Sequence, residues 1–178
     1  MRRPLKLHPH SVCAAVAGVE VEITRPASGS LVLSYAVTGA IGDLSLPPIA
    51  APTRADELWQ HTCFEAFVTD AAGKTYYEFN LAPSTQWAAY RFDRYRSGMR
   101  PATEIDPPQI VAQATSDRYT LRAVLSLPDG QRDRSSRLGL AAVIEEKNGN
   151  KSFWALVHPP GQPDFHHPEG FALELTKG

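Results

Sequence analysis

The chain has 178 residues, 43% of them hydrophobic and 21% charged, and its 18 basic and 19 acidic side chains leave a net charge of −1. That length suits one globular domain, residues 1–178, able to bury a core without disulfides or metals as staples. Lys and Arg are dispersed without a basic stripe, which argues against nucleic acid as a partner, and no stretch approaches the roughly 20 apolar residues of a membrane helix.

Met1-Arg2-Arg3 opens the chain as a secretion signal could, but Pro4, His8, Pro9 and His10 interrupt the next stretch, and the apolar run 12–18 is too short to complete one. The expectation is a soluble, cytoplasmic protein in which Cys13 and Cys63 stay as two reduced thiols. Further on, apolar and polar residues alternate in short runs: Val19/Val21/Ile23, Leu31/Leu33/Tyr35/Val37, Phe64/Ala66/Val68, Tyr77/Phe79/Leu81, Tyr119/Leu121/Ala123/Leu125 and Leu138/Leu140/Ala142/Ile144. Period two bounded by Gly, Pro, Asn and Asp is the strand signal, and it predicts about ten or eleven strands. Only 53–60, after Pro52, suits a short helical turn, while the Pro-rich stretches 44–52 and 101–108 read as loops. So many strands at roughly 8–12-residue spacing predict an all-β fold, two antiparallel sheets packed as a β-sandwich or jelly roll.

Two hairpins can be given a register. Asn148-Gly149 suits a two-residue type I′ turn, which sets Glu145 opposite Ser152, Val143 opposite Trp154 and Ala141 opposite Leu156. Both faces of that pair are mostly apolar, so it belongs in the middle of a sheet covered on both sides. A four-residue loop Asp70-Ala71-Ala72-Gly73 would place Val68, Ala66 and Phe64 opposite Thr75, Tyr77 and Phe79 in the core. On the reverse face Glu65 then meets Glu78 and Cys63 meets Asn80. Through a turn at Pro83-Ser84-Thr85-Gln86, the third strand adds Arg91 beside Glu78, Ala89 beside Asn80 and Trp87 beside Ala82.

The predicted row Glu65–Glu78–Arg91 does not read as core. Like charges directly opposite destabilise a sheet by a few tenths to about 1 kcal/mol, so Arg91, a bound cation or a hydroxyl-rich ligand should offset them. Carboxylate, amide and guanidinium groups beside an indole suit a sugar, whose C–H face lies on the ring while its hydroxyls bond the polar groups. The bland alternative is a solvated outer face with weak ion pairs. Glu65 and Glu78 could also serve glycoside hydrolysis as an acid/base pair at the roughly 5 Å spacing of a retaining enzyme, but an adjacent Arg91 would tune them poorly.

A second concentration is the Pro-rich loop after Trp154, with His158, Asp164, His166 and His167, together with His61 and Trp59 at the approach to a strand. Such a set could bind a divalent metal, but its spacing matches no zinc pattern. In a packed-down loop these side chains more often bond the backbone. Strand pairing favours Trp154 in the core; Trp59 is the freer indole.

The stretches Leu58-Trp59-Gln60-His61-Thr62-Cys63-Phe64-Glu65-Ala66-Phe67, Tyr76-Tyr77-Glu78-Phe79-Asn80-Leu81-Ala82-Pro83-Ser84 and Gln86-Trp87, with Phe153-Trp154-Ala155-Leu156 and His158-Pro159, resemble the bacterial DOMON-like proteins. These belong to the superfamily that includes family 9 carbohydrate-binding modules, and the similarity spans about residues 31–175. The resemblance implies a carbohydrate-binding-module-like jelly roll that binds a saccharide or, in other branches, haem, with no enzymatic activity of its own. Haem ranks second: His61, His158 or His166 could serve as axial ligands, but Met99, the one internal Met, lies beside Gly98 in a predicted turn, and no Cys-x-x-Cys-His attachment motif exists. The reading is therefore a non-catalytic small-ligand-binding module that needs no cofactor, with a saccharide or similar polar metabolite as partner. Trp59 or Trp87 would form the platform and Glu65, Glu78, Asn80 and Arg91 the clamp. His61, His158, Asp164 and His166 would make a rim, and Trp154 remains a further candidate.

Overall fold

The computed structural model describes residues 1–26, 29–70, 73–128 and 136–175. Its described strands are β1 (Arg2–Leu7), β2 (Val16–Thr24), β3 (Leu31–Gly39), β4 (Cys63–Thr69), β5 (Tyr76–Leu81), β6 (Trp87–Phe92), β7 (Arg100–Pro101), β8 (Gln109–Ala114), β9 (Arg118–Leu125), β10 (Ser136–Glu145), β11 (Lys151–Ala155) and β12 (Leu173–Leu175). Among the described residues helix is confined to three single 3₁₀ turns, one of which, Leu58–Gln60, lies inside the predicted stretch 53–60. Among the described residues no helix is long and apolar enough to cross a membrane. Both cysteines are free, Cys63 buried and Cys13 partly so.

The strands pair antiparallel into two layers, as the alternation predicted. One runs β1-β2-β3-β9-β8 and the other β7-β6-β5-β4-β10-β11-β1, with β12 beside the start of β10. β1 belongs to both: Arg2–Leu5 pair with β2, whereas Lys6 and Leu7 pair with Ala155 and Trp154 of β11. A single strand bending from one sheet to the other closes that corner of the sandwich.

Rows of apolar side chains meet between the layers. Val21, Tyr35, Leu121 and Ala112 line up across β2, β3, β9 and β8, and Leu140, Ala66, Phe79 and Ala89 line up across β10, β4, β5 and β6. Tyr35 spans the gap, its hydroxyl donating to the Glu65 carbonyl at 2.8 Å while its ring packs on Phe64.

β4, β5 and β10 are buried on both faces. The face turned away from the main core carries a second apolar cluster, Phe67, Tyr76, Ala88, Tyr90, Phe92, Ala141, Ala155 and Phe171, roofed by Leu58 and Phe165. Gly139 lets this roof close: a Cβ there would lie 2.7 Å from Cδ1 of Phe171 and 3.2 Å from the Gly170 carbonyl. Gly139→Ala is expected to cost about 1–3 kcal/mol by overpacking, read as a melting point lower by roughly 2–4 °C per kcal/mol. An unchanged melting point would show that the roof yields freely.

Candidate functional site

The site-bearing face is set by three hairpin registers, each of which differs from the sequence expectation. β4 and β5 are shifted by two residues, so Glu65 faces Asn80 and Phe67 faces Glu78. Asp70 causes the shift by widening the loop: its N–H donates to the Thr75 carbonyl, and its carboxylate accepts from the Lys74 N–H and the Thr75 hydroxyl. Ala71 and Ala72, central to the predicted loop, lie outside the described residues. An even shift preserves faces, so Glu65 and Glu78 stay on one side but become diagonal neighbours instead of directly opposed.

The other two shifts are by one residue and exchange faces. Between β5 and β6 the loop closes with Ala82 N–H on the Gln86 carbonyl and with Thr85 at φ 72°, so Leu81 faces Trp87 and Glu78 faces Tyr90. Trp87 is thereby carried into the main core at 3% exposure, under the Arg54 guanidinium 4.2 Å away. Arg91 turns to the same side, 4.0 Å from Glu104 and over the Tyr77 ring. Neither Trp87 nor Arg91 joins the acids, which corrects the predicted row.

Between β10 and β11 only Gly149 has positive φ, whereas a type I′ turn needs two such residues. The loop is one residue longer, Glu146 N–H donates to the Asn150 carbonyl, and Trp154 faces Ala142. Trp154 is core, its indole N–H donating to Ser152 Oγ at 3.0 Å. The expectation that this pair is central and covered on both sides holds: β10 lies between β4 and β11.

On the site face a cavity of about 360 Å³ opens over Glu65 and Glu78, within the range of about 300–1,000 Å³ common for small-molecule sites. Val143 of β10 and Phe153 of β11 form one wall; Phe92 of β6 with Arg96 and Met99 forms the other. Pro163, Phe165 and His166 hang over it from the loop after β11, and Trp59 stands at the rim. Trp59, 36% exposed, sits on the 3₁₀ turn with its ring edge-on to Tyr90.

The acids are held deep. Asn80, fully buried, donates Nδ2 to Glu78 Oε1 at 2.7 Å, and its Oδ1 accepts a weak bond from the Cys63 thiol. Glu65 Oε1 is buried and has no hydrogen-bond partner. Burial, then the neighbouring charge of Glu78, pushes the Glu65 carboxyl well above its ordinary range. Burial also raises Glu78, against the pull of the Asn80 hydrogen bond and Arg96.

Asp164 ties the two overhanging segments together. Its Oδ1 accepts from Arg96 Nη2 at 2.8 Å, from Arg96 Nε at 3.2 Å and from the His166 N–H, and Oδ2 accepts from the Tyr95 hydroxyl. Although burial acts to raise it, these bonds hold the Asp164 carboxyl below its usual value. Tyr76 accepts from the Arg96 N–H at 3.2 Å and shares a 2.9 Å bond with His166 Nδ1. With Tyr76 as donor in that bond, the ring proton lies on Nε2, which points toward Glu78 Oε2 at 3.8 Å. Burial, helped by Arg96, lowers the His166 imidazole to about 4, so it is neutral in this position.

Of the sequence candidates, then, Trp59, Glu65, Glu78 and His166 line the cavity, Asn80 supports its floor and Asp164 braces its roof. His61 lies apart on the surface, bonded to Glu145 at 2.7 Å, and His158 Nε2 bonds the Lys6 carbonyl at 2.8 Å. Phe92, Phe153, Phe165, Arg96 and Met99 are additions. The two-sided apolar character of β6 and β11 hinted at the first two. Among the described residues no group of three or more His, Cys, Asp or Glu is placed to hold a metal ion.

No protein-family model and no curated protein matches the sequence. Solved structures share the fold. A candidate carbohydrate-binding protein from Bacteroides uniformis aligns with a TM-score of 0.65 at 14% identity, over 96% of this chain and 83% of that one. A family 9 carbohydrate-binding module from Caldicellulosiruptor kristjanssonii, in complex with cellotriose, aligns with a TM-score of 0.51 at 10% identity, over 88% and 74%. The chain thus has a carbohydrate-binding-module-like antiparallel β-sandwich.

The buried acids make stability pH-dependent. A carboxyl whose pKa is raised on folding contributes fully below its unfolded value, near 4.3, and that contribution is lost as pH rises through the folded value. His166, lowered on folding, acts oppositely: its contribution is complete above about 6.5 and is lost as pH falls toward about 4. Denaturant titrations upward from about pH 5 should show stability falling by up to about 1.4 kcal/mol per pH unit for each acid still protonated when folded. Glu65→Gln, which imitates the neutral acid, should flatten that slope; an unchanged slope would place Glu65 in the ionised form.

Proposed function

We propose that the chain is a non-catalytic saccharide-binding module of the DOMON-like kind. The observation that carries this reading is the pairing, across one cavity, of an exposed indole with buried carboxyl groups, one of which has an unpartnered oxygen. A pyranose places its C–H face on Trp59 and its hydroxyls toward Glu65 and Glu78, filling the acceptor that the fold leaves open. The cellotriose held by the family 9 module of the same fold supports this ligand class. A retaining glycosidase requires one of its two acids ionised as nucleophile, whereas burial favours the neutral form of both acids here. Haem fits less well. Met99 and His166 line the cavity, but Tyr76 occupies His166 Nδ1 and buried carboxyls stand where a porphyrin face needs apolar contact.

The test is calorimetric titration against a panel of mono- and oligosaccharides. Trp59→Ala is expected to weaken binding about tenfold or more, a loss of ~1.4 kcal/mol, at an unchanged melting point. Trp87→Ala, which empties a core position, should cost about 3–5 kcal/mol of stability. A wild-type protein that binds no saccharide, or a Trp59→Ala variant with full affinity, overturns the reading.

A further inference from the structure

Once ionised, the acids of the cavity would have no free cation among the described residues to balance them. Two acids line it, Glu65 and Glu78, on adjacent strands and in diagonal register. Among the described residues, Arg96 is the one cationic side chain in the lining, and its Nε and Nη2 are engaged by Asp164. His166 is neutral and its Nε2 stops 3.8 Å short of Glu78, beyond hydrogen-bond reach. Glu78 Oε1 is taken by Asn80, Glu78 Oε2 has His166 Nε2 no nearer than 3.8 Å, and Glu65 Oε1 is buried beside the cavity without a hydrogen-bond partner. A neutral hydroxyl can satisfy one such oxygen. An ammonium group carries three donors and a full charge, and so can satisfy both and let both acids ionise. Four aromatic rings, those of Trp59, Phe92, Phe153 and Phe165, line the same cavity, and the face of such a ring attracts a cation.

Building on the saccharide reading above, we propose that the saccharide this cavity takes carries a free protonated amine, an amino sugar whose ammonium sits between Glu65 and Glu78. The carboxyls set the site for the charge, and Trp59 sets it for the ring. An N-acetylated sugar keeps its shape but loses the charge and brings an acyl group to the acids.

The experiment compares four probes at neutral pH by calorimetric titration: glucosamine, glucose, N-acetylglucosamine and cyclohexylamine. Glucosamine should bind about tenfold tighter than glucose or N-acetylglucosamine, as one charge-assisted contact to a buried acid implies. That preference should vanish in Glu65→Gln, read as a glucosamine-to-glucose affinity ratio that falls to about one. Glu78→Gln provides the same readout if Glu65→Gln folds poorly. Glucose or N-acetylglucosamine binding as tightly as glucosamine would overturn the amine and leave the saccharide reading standing. Cyclohexylamine binding with no sugar bound would overturn the saccharide reading itself, and with it the amino sugar. Silence from all four probes overturns the inference.

Discussion

The second layer of the sandwich is buried on both faces, and everything distinctive about the molecule depends on that constraint. One face meets the other sheet and is filled by alternating apolar side chains in continuous rows. The opposite face has no sheet to cover it, so the segments 93–99 and 156–171 fold back over it and the 3₁₀ turn at Leu58–Gln60 borders it. Polar groups on that face are thereby removed from water, and a carboxyl that would be an ordinary surface acid becomes a costly buried one. Glu65, Glu78 and Asn80 occupy that position.

The architecture was legible because half-buried strands write themselves as period two, and β2 and β9 of the first layer keep that alternation. The faces of Glu65 and Glu78 were legible as well, since a register error of two residues leaves parity intact. Parity in the later hairpins escaped. β6 reads Trp87-Ala88-Ala89-Tyr90-Arg91-Phe92, apolar on both sides, so no pattern selects its register. The choice falls to a loop in which Thr85, a residue that does not announce left-handed backbone, adopts φ 72°. In the hairpin at Lys147–Asn150, Asn148-Gly149 suggested a two-residue turn, yet a single left-handed Gly149 serves a loop one residue longer. One residue in each loop exchanged Trp87 and Arg91 for Tyr90 and Phe92, and put Phe153 in place of Trp154.

The roof was harder to read for a different reason. Asp164 and His166 were candidates because they cluster in sequence, but their partners come from far away. Arg96 lies 68 residues before Asp164, and Tyr76 lies 90 before His166. No local periodicity reports a bond of that span. The loop carrying Arg96 also has it in left-handed backbone at φ 50°, a strained conformation for a non-glycine residue that persists only where its surroundings dictate it. Here the surroundings are the Tyr76 hydroxyl on its N–H and Asp164 on its guanidinium. The histidine-rich segment thus contributes His166 to the cavity lining and Asp164 to the bracing of its roof.

The unsatisfied oxygen of Glu65 carries an evolutionary consequence. A chain shaped for endurance alone would have settled on an aliphatic side chain at that depth, where methyl groups from the facing strands could close in without penalty. Keeping an acid there holds the protein on its own short of the robustness its scaffold permits, and a guest that bonds the bare acceptor returns the difference as heat resistance.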